Sequence, residues 1–345
     1  MAFYQEVTLI DCFFVPRHLA AALADASAAI ARLDARICAT SLAPAWTLRA
    51  SWTGYATALR LQAFEIDEID IISHECGLTL PGRPPIETNA EPFSALQSWQ
   101  ATMAEKTGRH WREDLPFTFD LPMGWDNAPA LTRALALIEA WVRNDRSMAP
   151  RLGLPTVLRR MGITVAPLPC LVVGDAGQRF AHHPRPALLM RLLKQIRRAS
   201  DDGLARLNRL EDTARRSAAA IAAKNRPGQL ATLGRITLTR PCLAARTIAP
   251  LLGLTLSGAG KLLERATRLG ILVEVSGRAT WRTYVTPDVA LALGLVPATR
   301  GRPQASPAPS PALDTVLAKF DAEMAQIDAR LASFSGIAPE TATTD

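Results

Sequence analysis

The chain has 345 residues, room for two or three domains, and its 48% apolar and 21% charged residues exclude a disordered or fibrous protein. No apolar run approaches the roughly 18 residues a membrane-spanning helix needs, and the start, Met1-Ala2-Phe3-Tyr4-Gln5-Glu6-Val7, lacks the basic opening of a secretory signal. A cytoplasmic protein without membrane contact is expected. The formal net charge of +7 is unevenly spread: residues 1–184 hold 16 Lys+Arg against 19 Asp+Glu, residues 185–282 hold 19 against 6, and residues 283–345 hold 4 against 7. A net of +13 in one segment between acidic neighbours fits either a polyanion-binding surface or an Arg-rich solvated helix face.

In chain order, helix signals dominate. After Pro16, Leu19, Leu23, Ala26, Ile30, Leu33 and Ile37 recur every three or four residues, one apolar stripe over about five helical turns. Pro44 ends that helix, and a second from near Ala45 carries Trp46, Leu48, Trp52, Tyr55, Leu59 and Leu61. An acidic helix over 65–77 stops at Gly77, and Pro81-Gly82-Arg83-Pro84-Pro85 reads as loop. Residues 91–105 and 128–146 are predicted helices, with Trp99 and Trp141 on their apolar sides. The Pro- and Gly-rich stretch 147–184 reads as irregular, with one strand-like run at Leu171-Val172-Val173. Residues 186–225 read as a long basic helical region with an interruption signal at Asp201-Asp202-Gly203.

Around Gly253 the pattern becomes specific. A helix-turn-helix needs a residue that tolerates a left-handed backbone between its helices, and a small residue four positions earlier where the helices cross. Gly253 and Ala249 fill those places, with apolar Ile248, Leu252 and Leu254, then Ala259 and Leu262, at the expected contacts. Thr255 is a natural N-cap for a second helix over 256–269, whose Ala259, Leu262, Leu263, Ala266 and Leu269 face inward. Ser257, Lys261, Arg265 and Arg268 lie on the opposite side. Gly270-Ile271-Leu272 then leads into a hairpin with Val273, Val275, Thr283 and Val285 that carries Arg278 and Arg282. Pro250 is the discordant residue, since a proline inside a helix costs about 3 kcal/mol. Residues 239–285 thus predict a winged helix-turn-helix that binds double-stranded DNA through Arg246, Thr255, Ser257, Lys261, Arg265, Arg268, Arg278 and Arg282, with the second helix in the major groove. The bland reading of the same residues is a winged domain that binds protein.

Beyond a Pro/Ala linker at 297–312, residues Leu313, Leu317, Phe320, Met324, Ile327, Leu331 and Phe334 follow a 3.5-residue period. The helix over 313–335 is expected either to form a homodimer or to dock on its own chain.

These residues also carry a resemblance. Leu42-Ala43-Pro44-Ala45-Trp46, the acidic helix with Glu65 and Asp70, Ile72-Ser73-His74-Glu75-Cys76-Gly77, and the stretch from Leu238-Thr239-Arg240-Pro241 to Tyr284 resemble uncharacterised, often plasmid-encoded bacterial proteins. Those proteins join an N-terminal domain of unknown function to a C-terminal helix-turn-helix DNA-binding domain. Thr88-Asn89 departs from the Thr-His pair frequent there. The resemblance implies DNA binding and little else; the expected role is that of a transcriptional regulator or plasmid-maintenance factor. The layout also looks distantly similar to Fic-type AMP-transferases. His183-Pro184-Arg185-Pro186 lacks their His-Pro-Phe phenylalanine and phosphate-binding glycines, so that chemistry is expected to be absent.

Other chemistry is weakly signalled. Asp67, Asp70 and His74 share a helical face that could hold a divalent metal, but a solvated face is the simpler reading, and Glu65 or Asp70 could pair with Arg49 or Arg60. Gly174-Asp175-Ala176-Gly177 lacks the spacing of a nucleotide loop, and His182-His183 has no acidic or cysteine neighbour. Cys12, Cys38, Cys76, Cys170 and Cys242 are too scattered for zinc or a disulfide framework, so buried reduced thiols are expected. No catalytic residue, cofactor or metal is predicted, and no particular small-molecule effector. The expected fold is mainly α: a helical bundle over 1–184, a basic helical connector over 185–238, a winged helix-turn-helix with a β-hairpin wing over 239–296, the linker and the terminal helix. The alternative function is a protein–protein interaction adaptor built on the helical domain and the heptad helix.

Overall fold

In the computed structural model the first helix, α1 (Arg17–Ala39), buries Leu19, Ala26, Ile30, Leu33 and Ile37, the stripe expected from their spacing. Its apolar face lies along α7 (Pro186–Ala222), a helix of 37 residues and so about 55 Å long. The described residues are 17–80, 83, 92–105, 110–113, 115–175, 186–276 and 282–297, with Ala322 and Gln326 beyond them. The expected heptad helix, nearly all of the expected linker, Arg278, Thr88-Asn89, His182-His183 and Cys12 fall outside these residues.

Asp201-Asp202-Gly203 does not interrupt α7. Gly203 is a packing glycine: a Cβ there would meet Cys170 Sγ at 3.0 Å and Leu33 Cδ2 at 3.1 Å. The indole Nε1 of Trp46 donates to the Gly203 carbonyl at 2.9 Å. Trp46 belongs to α2 (Ala43–Leu61), in which Pro44 sits in the first turn, where its missing N–H costs nothing. α2 is thereby wedged against the middle of α7. Exposed ion pairs flank the α1–α7 seam, with Arg197 on Asp25 (2.8 Å), Arg32 on Asp201 (3.3 Å) and Arg36 on Glu211 (2.9 Å).

The acidic segment starts later than expected, as α3 (Glu68–Cys76). Asp67 is its N-cap, accepting from the amides of Ile69 and Asp70, while Asp70 accepts from the Asp67 amide at 2.9 Å. Gly77, at φ 61°, closes the helix in the left-handed region. The carboxylates of Asp67 and Asp70 both face Arg83, so the expected pairing of Glu65 or Asp70 with Arg49 or Arg60 is not the one formed. His74 stacks on Phe93 with ring centroids 4.0 Å apart. Among the described residues no group of three His, Cys, Asp or Glu is placed to hold a metal ion.

α4 (Leu96–Ala104) is shorter than predicted, and α5 (Ala130–Asn144) lies where expected. A correction follows at 147–184. Residues 149–160 form α6 (Ala149–Arg160), with Pro150 in the first turn and Pro155 inside the helix. Gly153 lets α6 approach α5, since a Cβ there would come within 2.5 Å of the Trp141 ring. Leu171, Val172 and Val173 are buried but belong to no strand of the sheet.

After α7 the chain turns into α8 (Leu230–Thr239), the short strand β1 (Cys242–Ala244), α9 (Ala245–Leu252) and α10 (Leu256–Arg268). Strands β2 (Val273–Glu274) and β3 (Thr283–Val285) and helix α11 (Pro287–Ala292) complete it. The sheet is antiparallel in the order β1-β3-β2, so β3 is central, with Leu243 opposite Tyr284 and Glu274 on its other side. Strand β1 has no counterpart among the sequence expectations; three residues are too few to display alternation.

Residues up to Val296 belong to one compact unit. One apolar cluster joins α1, α5, α6 and α7. A second brings Trp52, Tyr55, Ile71, Ile72 and Trp99 together with Val285, Val289, Ala290 and Leu293, so β3 and α11 complete the core of the front half. The third lies between α8, α9, α10 and the sheet. Of the cysteines, Cys170 is buried as expected, but Cys38 is exposed and Cys76 and Cys242 are only half-buried.

Candidate nucleic-acid interface

Helix α9 starts after the extended residue Ala244, whose amide and carbonyl are both bridged by the Thr247 hydroxyl at 3.1 and 2.7 Å. Ile248 and Ala249 are buried against α10, as the spacing predicted. Pro250 stays within the helix; it is exposed, and the amide bond to residue 246 that it forgoes lies at the surface. Gly253 has φ 61° and ψ 34°, and the Leu254 amide reaches back to the Ala249 carbonyl at 2.8 Å, a six-to-one closure that ends α9. Thr255 then accepts from the Gly258 amide at 3.1 Å and caps α10.

On α10, Ala259, Leu263 and Ala266 are buried and Leu262 and Leu269 are packed beside them. Ser257, Lys261 and Arg268 are exposed. At about 100° per residue, positions 261, 264 and 268 fall within roughly 40° of Ser257, whereas Arg265 lies about 80° away. The outward row is therefore Ser257, Lys261, Glu264 and Arg268. Arg265 sits at its edge and donates to the Arg226 carbonyl at 2.9 Å. That bond ties α10 to the turn between α7 and α8, which supplies Lys224 and Arg226.

Glu264 was no part of the sequence-predicted set. It pairs with Arg282 at 3.1 Å, so an acid on the outward row is balanced by the base of the hairpin. Arg246 is exposed on α9. Leu251 and Leu256, on either side of the turn, are 48% and 63% exposed, unusual for leucine. Three basic residues of α7 are paired with acids elsewhere: Arg191 with Asp175, Arg197 with Asp25, and Arg206 with Glu68 at 2.6 Å. The exposed positive charge near α10 includes Lys224 and Arg226 of the α7–α8 turn and Lys261 and Arg268 of α10 itself.

The motif is fastened to the front half by one buried cation. Arg49 of α2, only 2% exposed, donates to the carbonyls of Ala45 (3.1 Å) and Leu238 (2.9 Å) and to the Thr286 hydroxyl (3.4 Å), and it pairs with Asp288. Sequence spacing offered no sign of it, since its partners lie about 190 and 240 residues away. A separate cavity of about 660 Å³ lies between α4, α5 and α6, with Trp99, Trp111 and Trp141 in its wall. Its size is within the range of small-molecule sites.

No protein-family model matches the chain, and no curated protein matches it. No helix among the described residues is long and apolar enough to cross a membrane.

Proposed function

We propose that residues 239–285 are a winged helix-turn-helix and that the protein is a cytoplasmic, sequence-specific binder of double-stranded DNA, serving as a transcriptional regulator or plasmid-maintenance factor. One observation carries the reading: a glycine-hinged helix pair is followed by a hairpin in a β1-β3-β2 sheet, and its second helix turns Ser257, Lys261 and Arg268 outward. In this geometry α10 enters the major groove, its first turn facing base edges, while Arg246, Arg265, Arg268 and Arg282 lie toward the phosphates. Thr255 sets the start of α10, and Arg278, a further phosphate contact expected from the sequence, lies outside the described residues. The resemblance to two-domain bacterial DNA-binding proteins points the same way. The role is binding, not catalysis, with no cofactor required, and the tryptophan-lined cavity is a natural place for an effector.

The test is fluorescence anisotropy with labelled duplex DNA at about 50 mM salt. Wild type is compared with the double variant Lys261→Ala, Arg268→Ala, which leaves the Arg265 tether to Arg226 intact. Two lost phosphate or base contacts are expected to weaken binding at least tenfold. Equal affinity of the two proteins would sink the assignment of α10.

The exposed Leu251 and Leu256 favour a second reading, in which the same face docks a protein and the molecule is an adaptor. In that case Leu256→Ser would abolish capture of the partner and leave DNA affinity unchanged. Self-association through residues 313–335 belongs to either reading and is tested by light scattering of a chain lacking them.

A further inference from the structure

Cys76 is the last residue of α3 and Cys242 the first of β1, 166 residues apart in sequence. The Cys242 thiol donates to the Cys76 carbonyl at 3.2 Å, which brings the two residues side by side. Both are half-buried free thiols at the margin of the second apolar cluster. We propose that Cys76 and Cys242 form a redox modification site that closes to an intramolecular disulfide. No other pair of cysteines among the described residues shares a contact of this kind. Cys38 is exposed with Asp34 beside it, and burial pushes the Cys170 thiol up to about 12, which makes it inert.

The exchange can open at either sulfur; in the course that follows, Cys242 loses its proton to solvent and attacks first. The oxidant is a low-molecular-weight disulfide of the glutathione class. The Cys242 thiolate attacks one of its sulfurs and expels one thiolate, which leaves a mixed disulfide. Cys76 then loses its proton to solvent and attacks the Cys242 sulfur, and the second small thiol departs. Two protein thiols are oxidised and one small disulfide is reduced to two thiols. The new bond fastens α3 of the front half to β1, the strand that opens the predicted DNA-binding motif. The chemistry is read on the protein alone and stands or falls independently of DNA.

The experiment treats the full chain with oxidised glutathione near pH 8, alkylates it under denaturing, non-reducing conditions and maps its peptides by mass. The expected result is one cross-linked species joining the peptides of Cys76 and Cys242, about 2 Da below their summed mass. Dithiothreitol should abolish it. In Cys76→Ser the link should disappear and Cys242 should carry one glutathione. Alkylation of both residues in the treated wild-type chain, or a separate glutathione on each, would overturn the proposal without recourse to any variant.

Discussion

Arg49 is the residue on which the attachment of the C-terminal motif turns. A guanidinium 2% exposed is tolerable only because carbonyls, a hydroxyl and Asp288 surround it. Removing one member of such a pair strands the other charge. Arg49→Met is expected to lose about 3–5 kcal/mol in denaturant unfolding, and adding Asp288→Leu should recover a large part of that loss. A single variant as stable as wild type would show that the pair does not hold the two halves together. Arg83 gives a pH-dependent counterpart. Its guanidinium holds the Asp67 carboxyl below its ordinary value of 3.8, helped by the amides of Asp70 and Ile69. Because the folded value is the lower one, this stabilisation is complete above pH 3.8 and disappears as pH falls through the folded value. Arg83→Ala should therefore lower the unfolding midpoint at pH 7 and converge on wild type once the pH has fallen below the folded value of Asp67. A difference that persisted in acid would place the effect in packing rather than charge.

At the scale of elements, most helices were legible because their apolar stripes repeat every three or four residues. The stripe of α1 and the inward set of α10 are the ones that spacing predicted. Where the helices depart from that pattern, at α6 and in the middle of α7, proline and glycine act in packing rather than as breakers. Gly203 lies inside an unbroken α7, and Gly153 and Pro155 lie inside α6, because tertiary contacts with Trp46 and Trp141 outweigh their weak local preference. Gly54 is a sharper case, since a Cβ there would lie 2.1 Å from the Pro169 carbonyl oxygen. Gly54→Ala is expected to cost about 3 kcal/mol or more by overpacking, read as a fall in the thermal midpoint. Gly253→Ala should cost about 1 kcal/mol for its left-handed backbone, since nothing crowds the position. If Gly253→Ala proved neutral, the hinge would not need a left-handed residue. Of the candidate site, the Thr255 cap and the outward positions of Ser257, Lys261 and Arg268 were legible, because both follow from the apolar spacing of α10. Glu264 and the bond from Arg265 to Arg226 were not legible, because each depends on a partner supplied by another element.

Across the compact unit ending at Val296, the predicted DNA-binding motif is not an appendage to the front half. Val285, Val289, Ala290 and Leu293 fill the core beneath Trp52, Tyr55 and Ile71, and the Arg49 network and the Cys76–Cys242 contact cross the same seam. Changes in the front half, at the tryptophan-lined cavity or at the thiols, thus have a short packed route to the sheet that supports α10. The central claim remains that the outward row of α10, with the adjoining basic turn, meets a DNA backbone. Its most direct test is the salt dependence of DNA affinity for the full chain between 50 and 200 mM. If about six to ten phosphates are engaged, a plot of log affinity against log salt should have a slope of about −5 to −9. The Lys261→Ala, Arg268→Ala variant should be shallower by roughly 1, for the phosphate contact of Arg268. A slope near zero, or one the double variant leaves unchanged, would contradict the account.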